Sequence, residues 1–184
     1  MPAEVSIDPD RLARLPLVFL AEQDVDFDID GVAGDDVTTY REVMTAGLKL
    51  YQLFSYQGMV RRRFGEPVAK KVHTLQCRII DSEHAGAGEA VEAALQLIER
   101  SLSVAVVGAE AGGVEFPVSA ERRVALALLT GLPESPDYLP DAQNRDLRLP
   151  CIANMEQQLA GLLVRGKQDM LRTFSPLFRS RYLP

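Results

Sequence analysis

Between Val37 and Phe64 one spacing governs the chain. Val37, Tyr40, Met44, Gly47, Tyr51, Phe54 and Gly58 follow one another at alternating intervals of three and four residues. That spacing aligns side chains along one stripe of an α-helix, whereas a strand would require alternation at every second residue. A helix over 37–64 is therefore the strongest structural expectation. Leu48 and Leu50 widen its stripe, Gly34-Asp35-Asp36 offers an N-cap ahead of it, and Thr39 with Glu42 has the spacing of a capping box. Gly47 and Gly58 cost helix propensity, so their place on the apolar stripe predicts close approach of a neighbouring helix, or else a break near Gln57-Gly58.

The same period recurs elsewhere. Asp8-Pro9 opens a first helix, with Leu12, Leu15 and Phe19 on one face and Pro16 expected to kink or restart it. After Glu66-Pro67, the positions of Val68, Val72, Leu75 and Ile79 predict a helix that ends before Ala85-Gly86-Ala87-Gly88; a strand over 72–80 fits less well. Glu89–Leu102 is helical by composition and period. Val104–Val107 and Val114–Phe116 flank a glycine-rich loop and read as a hairpin. Ser119 caps a helix running to Leu129, and 133–150, with its prolines, reads as a surface loop. Helices are expected over 152–164 and 167–174, broken at Gly166. The fold expected is mainly α: a compact bundle of about six helices with at most a short β-hairpin near 104–117, α+β being the alternative. One globular domain is expected over 1–184, with 175–184 as an extended C-terminal tail.

Composition bounds the class. Hydrophobic residues make up 47% of the 184-residue chain and charged residues 25%, which suits a folded domain and argues against extended disorder. The apolar run Leu15–Ala21 is preceded by Glu4, Asp8 and Asp10 and interrupted by Pro16, unlike a secretory leader. With no run of ~20 apolar residues and only two cysteines, Cys77 and Cys151, a soluble cytoplasmic protein is expected. The net charge of −6 is unevenly spread: residues 1–40 carry ten acids and two bases, 41–80 two and eight, 81–140 ten and three, and 141–184 four and seven. Such blocks suit pairing of oppositely charged surfaces within or between chains. The acidic total argues against a dedicated nucleic-acid-binding domain.

Asp26, Asp28, Asp30 and Gly31 stand where an EF-hand loop places ligands 1, 3 and 5 and its glycine. Position 12, which must supply a bidentate glutamate, is Val37. The plainer reading uses Val25, Phe27 and Ile29, which alternate with the acids as a half-buried extended segment does. His73, Cys77, Asp81 and His84 would share one side of a continuous helix and include competent transition-metal ligands. Strung along one helix, however, the four span ~16 Å, too far for one ion. His73 and Cys77 also have the spacing of a base and a nucleophile, without a third orienting group. Gly86-Ala87-Gly88 ahead of a helix has the form of a phosphate-binding turn but lacks the third glycine of a dinucleotide fingerprint. Arg61-Arg62-Arg63 with Lys70 and Lys71 makes a basic patch whose plainest role is to complement a helix C-terminus.

No motif satisfies residue type, spacing and context together, and none names a cofactor. The function expected is that of a non-enzymatic helical domain acting through self-assembly as a homo-oligomer or through a protein partner. The alternatives are a metal-binding protein, using Asp26, Asp28 and Asp30 or His73, Cys77 and His84, and an enzyme whose site is assembled from scattered residues.

Overall fold

The computed structural model describes residues 8–23, 25, 37–103, 107–109, 115–117, 119–130 and 149–179. Among these lie six helices: α1 (Pro9–Ala21), α2 (Val37–Phe64), α3 (Glu66–Glu83), α4 (Ala87–Ser103), α5 (Ala120–Thr130) and α6 (Leu149–Arg179). Strands β1 (Val107–Ala109) and β2 (Glu115–Pro117) form one antiparallel hairpin, in which Gly108 faces Phe116. The fold is mainly α, as the periodicity requires. Of the stretch 24–31 only Val25 is described, and it is buried; of the loop expected at 133–150, residues 133–148 lie outside the described residues, and Leu149 and Pro150 open α6 instead, where proline suits the first turn of a helix.

Contacts divide the chain into two units. One comprises Met1–Gln23, Lys49–Ala93 and Arg165–Pro184, and the other Asp24–Leu48 and Ala94–Val164. Helices α2, α4 and α6 thus contribute residues to both.

The first unit is built on aromatic packing. Leu12 and Ala13 of α1, Tyr56, Met59 and Val60 of α2, Ala69 and Val72 of α3, and Met170, Phe174 and Phe178 of α6 form its core. Val68, Leu75 and Ile79, the other members of the expected α3 stripe, are half-buried against it. The Tyr56 ring meets Phe174 edge-on at 5.0 Å, Phe19 meets Phe174 at 5.8 Å and Phe64 meets Phe178 at 5.7 Å. Such edge-to-face pairs are worth ~0.5–1.5 kcal/mol each beyond the area they bury.

Pro16 does not interrupt α1. The helix starts where expected, with Asp8 accepting from the Asp10 amide at 3.0 Å, and runs through Pro16 to Ala21. A proline at 16 cannot donate to the carbonyl of residue 12. The Tyr56 hydroxyl donates to the Leu12 carbonyl instead, at 2.8 Å, from a fully buried side chain. The carbonyl that proline orphans is therefore satisfied from α2, and the helix continues. Burial also pushes the Tyr56 phenol far above its ordinary pKa, which keeps the donor protonated.

In the second unit, Met44 and Leu48 of α2, Leu95 and Ile98 of α4, Val124, Ala125 and Ala127 of α5, and Met155, Leu159, Leu162 and Leu163 of α6 are buried. A Cβ on Gly47 would meet Leu159 at 3.4 Å and Leu128 at 3.6 Å, so the close approach expected at this glycine is present. At Gly58 it is absent, since nothing lies within 4 Å of an added Cβ, and the helix does not break there. A stripe spaced every 3.5 residues drifts ~20° per heptad on a 3.6-residue helix. By the second half of α2 burial has moved to Gln52, Leu53, Tyr56, Met59 and Val60.

Two expectations at the C-terminus are corrected. Gly166 does not separate two helices; it is buried inside one 31-residue helix. Glycine keeps its N–H, and the buried faces on either side, Met155-Leu159-Leu163 and Met170-Phe174-Phe178, hold it helical. Residues 175–179 are likewise helical rather than an extended tail, because Leu177 and Phe178 pack on the first unit's core. Residues 180–184 lie outside the described residues.

Replacing Tyr56 with Phe keeps the ring packing but strands the Leu12 carbonyl, and should cost ~1–3 kcal/mol, read as a lower urea midpoint at unchanged slope. Gly58 of α2 and Gly88 of α4 should respond oppositely to alanine. Gly58→Ala should stabilise by ~0.5–1 kcal/mol through helix propensity. Gly88→Ala should destabilise by ~1–3 kcal/mol, since its Cβ would stand 2.6 Å from the Cys77 carbonyl oxygen. Urea melts of both variants check the pair.

Candidate functional site

Helix α3 opens at Gly65, whose φ of +88° suits glycine, with proline in its first turn, and closes at His84. His84 is extended, at φ −140° and ψ 99°, and its N–H donates to the Ile80 carbonyl. It therefore leaves the helical face assumed for the His73, Cys77, Asp81 and His84 group. Gly86 turns the chain at φ +83°, and α4 begins at Ala87. Asp81 has a structural task at this corner: its Oδ1 accepts from the Gly88 N–H at 3.0 Å, a carboxylate placed where a helix N-terminus favours negative charge. The amide that a phosphate would use at Gly86-Ala87-Gly88 is thus already held by a carboxylate.

His73 and Cys77 do meet, with Nε2 3.9 Å from Sγ. Between α2 and α3 the Gln57 amide donates to Gln76 Oε1 at 2.8 Å and lies 3.1 Å from His73 Nδ1. The Gln57 amide thus fixes the orientation of the His73 ring from α2. The thiol itself is poorly prepared for attack. Burial, then the charges of Glu92 and Asp81, push the Cys77 pKa upward, whereas a reactive cysteine needs a depressed one. His73 and Cys77, one turn apart on α3, thus sit in a polar seam with Gln57 of α2 and Gln76 of α3.

Two buried glutamines, one of them in this seam, are not revealed by apolar periodicity. Gln76 and Gln52 are fully buried, and Gln52 reaches Gln23 at 3.5 Å. Gln76 Nε2 and Gln52 Oε1 have no hydrogen-bond partner among the described residues. A readable signal existed for Gln76, which sits one turn beyond Val72 on the apolar face; glutamine there signals a buried polar contact. No group of three or more His, Cys, Asp or Glu side chains among the described residues is arranged to hold a metal ion. Asp26, Asp28 and Asp30 lie outside the described residues; Val37, at the twelfth loop position, is the first residue of α2.

The basic run at the end of α2 divides. Arg61 pairs with Glu66 at 2.8 Å. Arg63 donates through Nε to the Phe178 carbonyl at 2.8 Å, capping the last turn of α6, and its guanidinium lies 5.6 Å from the Phe64 ring centre. Arg62 and Arg63 then line an open groove of about 230 Å³ with Met59, Leu171, Ser175, Phe178 and Arg179. Arg62 and Arg179 are exposed, and Leu171 leaves 38% of its surface to solvent. This groove was half legible: the arginine run is plain in the sequence, but Arg179 stands 116 residues beyond Arg63, and only folding joins them.

Comparison of the chain with protein-family models, curated proteins and solved structures finds no match. No helix among the described residues is long and apolar enough to cross a membrane.

The Cys77 environment has a measurable sign. The folded pKa lies above the unfolded one, so the stability it confers is complete below the unfolded thiol value and is lost as pH rises through the folded one. In a Cys151→Ser background, iodoacetamide labelling of the native protein should reach half its maximal rate at a higher pH than the same chain in urea. Glu92→Gln should lower that native midpoint; a native midpoint at or below the unfolded one contradicts the assignment.

Proposed function

We propose that this chain is a non-enzymatic helical interaction domain, acting by binding a partner protein or further copies of itself. The observation that carries the reading is the groove formed by α2 and α6. It sets exposed guanidiniums over an apolar floor, and arginine beside apolar anchors is a combination enriched at the energetic centres of protein interfaces. The polar seam at His73 and Cys77 supports the same reading, because its thiol is raised by burial and by the charges of Glu92 and Asp81 rather than activated. Blocks of opposite charge along the chain add long-range complementarity to a short-range contact.

Light scattering across a concentration series, joined to site-specific photo-crosslinking in cells, tests this function. A photoreactive residue at Leu171, in the groove, should give covalent adducts with a second copy or with another protein. The same residue at Val18, an apolar position on α1 that is 63% exposed, should give few. A strict monomer with no adducts, or equal adducts at both positions, overturns the reading.

A further inference from the structure

The groove is small, cationic at its rim and apolar at its floor, and these properties together narrow its occupant. Its volume of about 230 Å³ falls short of the ~300–1,000 Å³ usual for small-molecule and cofactor sites. At ~30 Å³ per water molecule, it holds roughly the volume of one large side chain. Met59, Leu171 and Phe178 supply apolar surface, Arg62, Arg63 and Arg179 supply positive charge, and no carboxylate among the described residues lines it.

The three arginines are not equivalent. Arg63 is held before any ligand arrives, by the Phe178 carbonyl and the Phe64 ring. Arg62 and Arg179 make no hydrogen bond or ion pair among the described residues. Their neighbour Arg61 is the one neutralised by Glu66, so the charge left over faces the groove. Gathering like charges around one depression raises the local potential, and an anionic occupant relieves it.

We propose that this groove docks an acidic peptide segment of a partner protein. One apolar side chain of the segment sits on Met59, Leu171 and Phe178, and flanking carboxylates pair with Arg62 and Arg179. Guanidinium groups match carboxylates through paired N–H donors, which gives the contact direction as well as charge. The apolar floor makes a bare anion an incomplete ligand. Nucleic acids and anionic membranes fit less well: both offer extended rows of phosphate, while the chain's total charge of −6 repels them outside this small patch. The proposal rests on the interaction-domain reading and adds the chemistry of the partner.

The test is fluorescence anisotropy of the full chain with a labelled peptide carrying one phenylalanine between two pairs of glutamates. Binding should weaken several-fold between about 50 and 300 mM salt, because exposed ion pairs are screened. It should fall about tenfold or more in Arg62→Glu/Arg179→Glu, and be lost with peptides in which the glutamates become glutamine or the phenylalanine glycine. Leu171→Asp probes the floor without touching the arginines, and circular dichroism melts confirm that each variant folds.

Unchanged binding in the arginine variant overturns the proposal, as does equal binding of the glycine peptide with competition by inorganic phosphate, which would mark a simple anion site. Tighter binding of duplex DNA or phosphatidylserine vesicles through the same arginines also overturns it. A failed peptide together with a dimer dispersed by Arg62→Glu/Arg179→Glu makes a second copy the occupant; the interaction reading then survives and this proposal does not. Absence of peptide binding, dimer and crosslink removes both.

Discussion

The hydrogen bond from Tyr56 to the Leu12 carbonyl lets the first unit close around its own proline. Pro16 is buried within α1, and a proline inside a helix removes one rung of the ladder and leaves a carbonyl without its partner. Where that carbonyl faces solvent, water satisfies it and the helix can bend. Here Leu12 is buried, 2% exposed, and the supplier is a phenol 44 residues away on α2. The same ring is the partner of Phe174 and Phe178. One side chain therefore couples the continuity of α1 to the docking of α6, and the aromatic core forms around a polar repair.

Periodicity in the sequence shows which residues face inward; it does not show which partner meets them. The extents of α2 and α3 follow from apolar spacing and from Pro67, and Ser119 caps α5 through the Arg122 amide as its position implies. Gly47 and Gly58 occupy equivalent places on one stripe, yet only Gly47 has a neighbour against it. Over 28 residues the drift between a 3.5-residue pattern and a 3.6-residue helix turns the later positions off the buried face. The break expected at Gly166 failed for a related reason. Local propensity argued for a stop, while the flanking apolar faces, spaced for one continuous helix, outweighed a cost of ~1 kcal/mol. Tyr56 was invisible as a repair group, because nothing local connects a tyrosine on α2 with a proline on α1.

The candidate chemistry shows the same limit. His73, Cys77, Asp81 and His84 look like ligands at helical spacing, but the helix ends at Glu83 and Asp81 turns to the Gly88 amide. With His84 off the helical face and Asp81 engaged, the remaining pair has a thiol raised by burial and by acidic neighbours, beside an imidazole held by a glutamine. Spacing reports where side chains start; hydrogen bonding decides what they are free to do.

Applied to the arginine run, that distinction separates three residues that are identical in the sequence. Successive helix positions point ~100° apart, so Arg61, Arg62 and Arg63 cannot serve one surface together. Arg61 faces the start of α3 and meets Glu66, and Arg63 faces α6 and caps its last turn. Both roles neutralise helix-terminal charge, which is the ordinary reason for cations at such positions. Arg62 has no such obligation among the described residues, and Arg179 brings a second unspent charge to the same groove from α6. Helix capping alone accounts for Arg63 and ion pairing for Arg61, but neither accounts for two exposed arginines lining one groove with Leu171. A surface that keeps charge unpaired beside exposed apolar area bears a standing cost in repulsion and hydration, and a bound acidic segment would remove both terms at once.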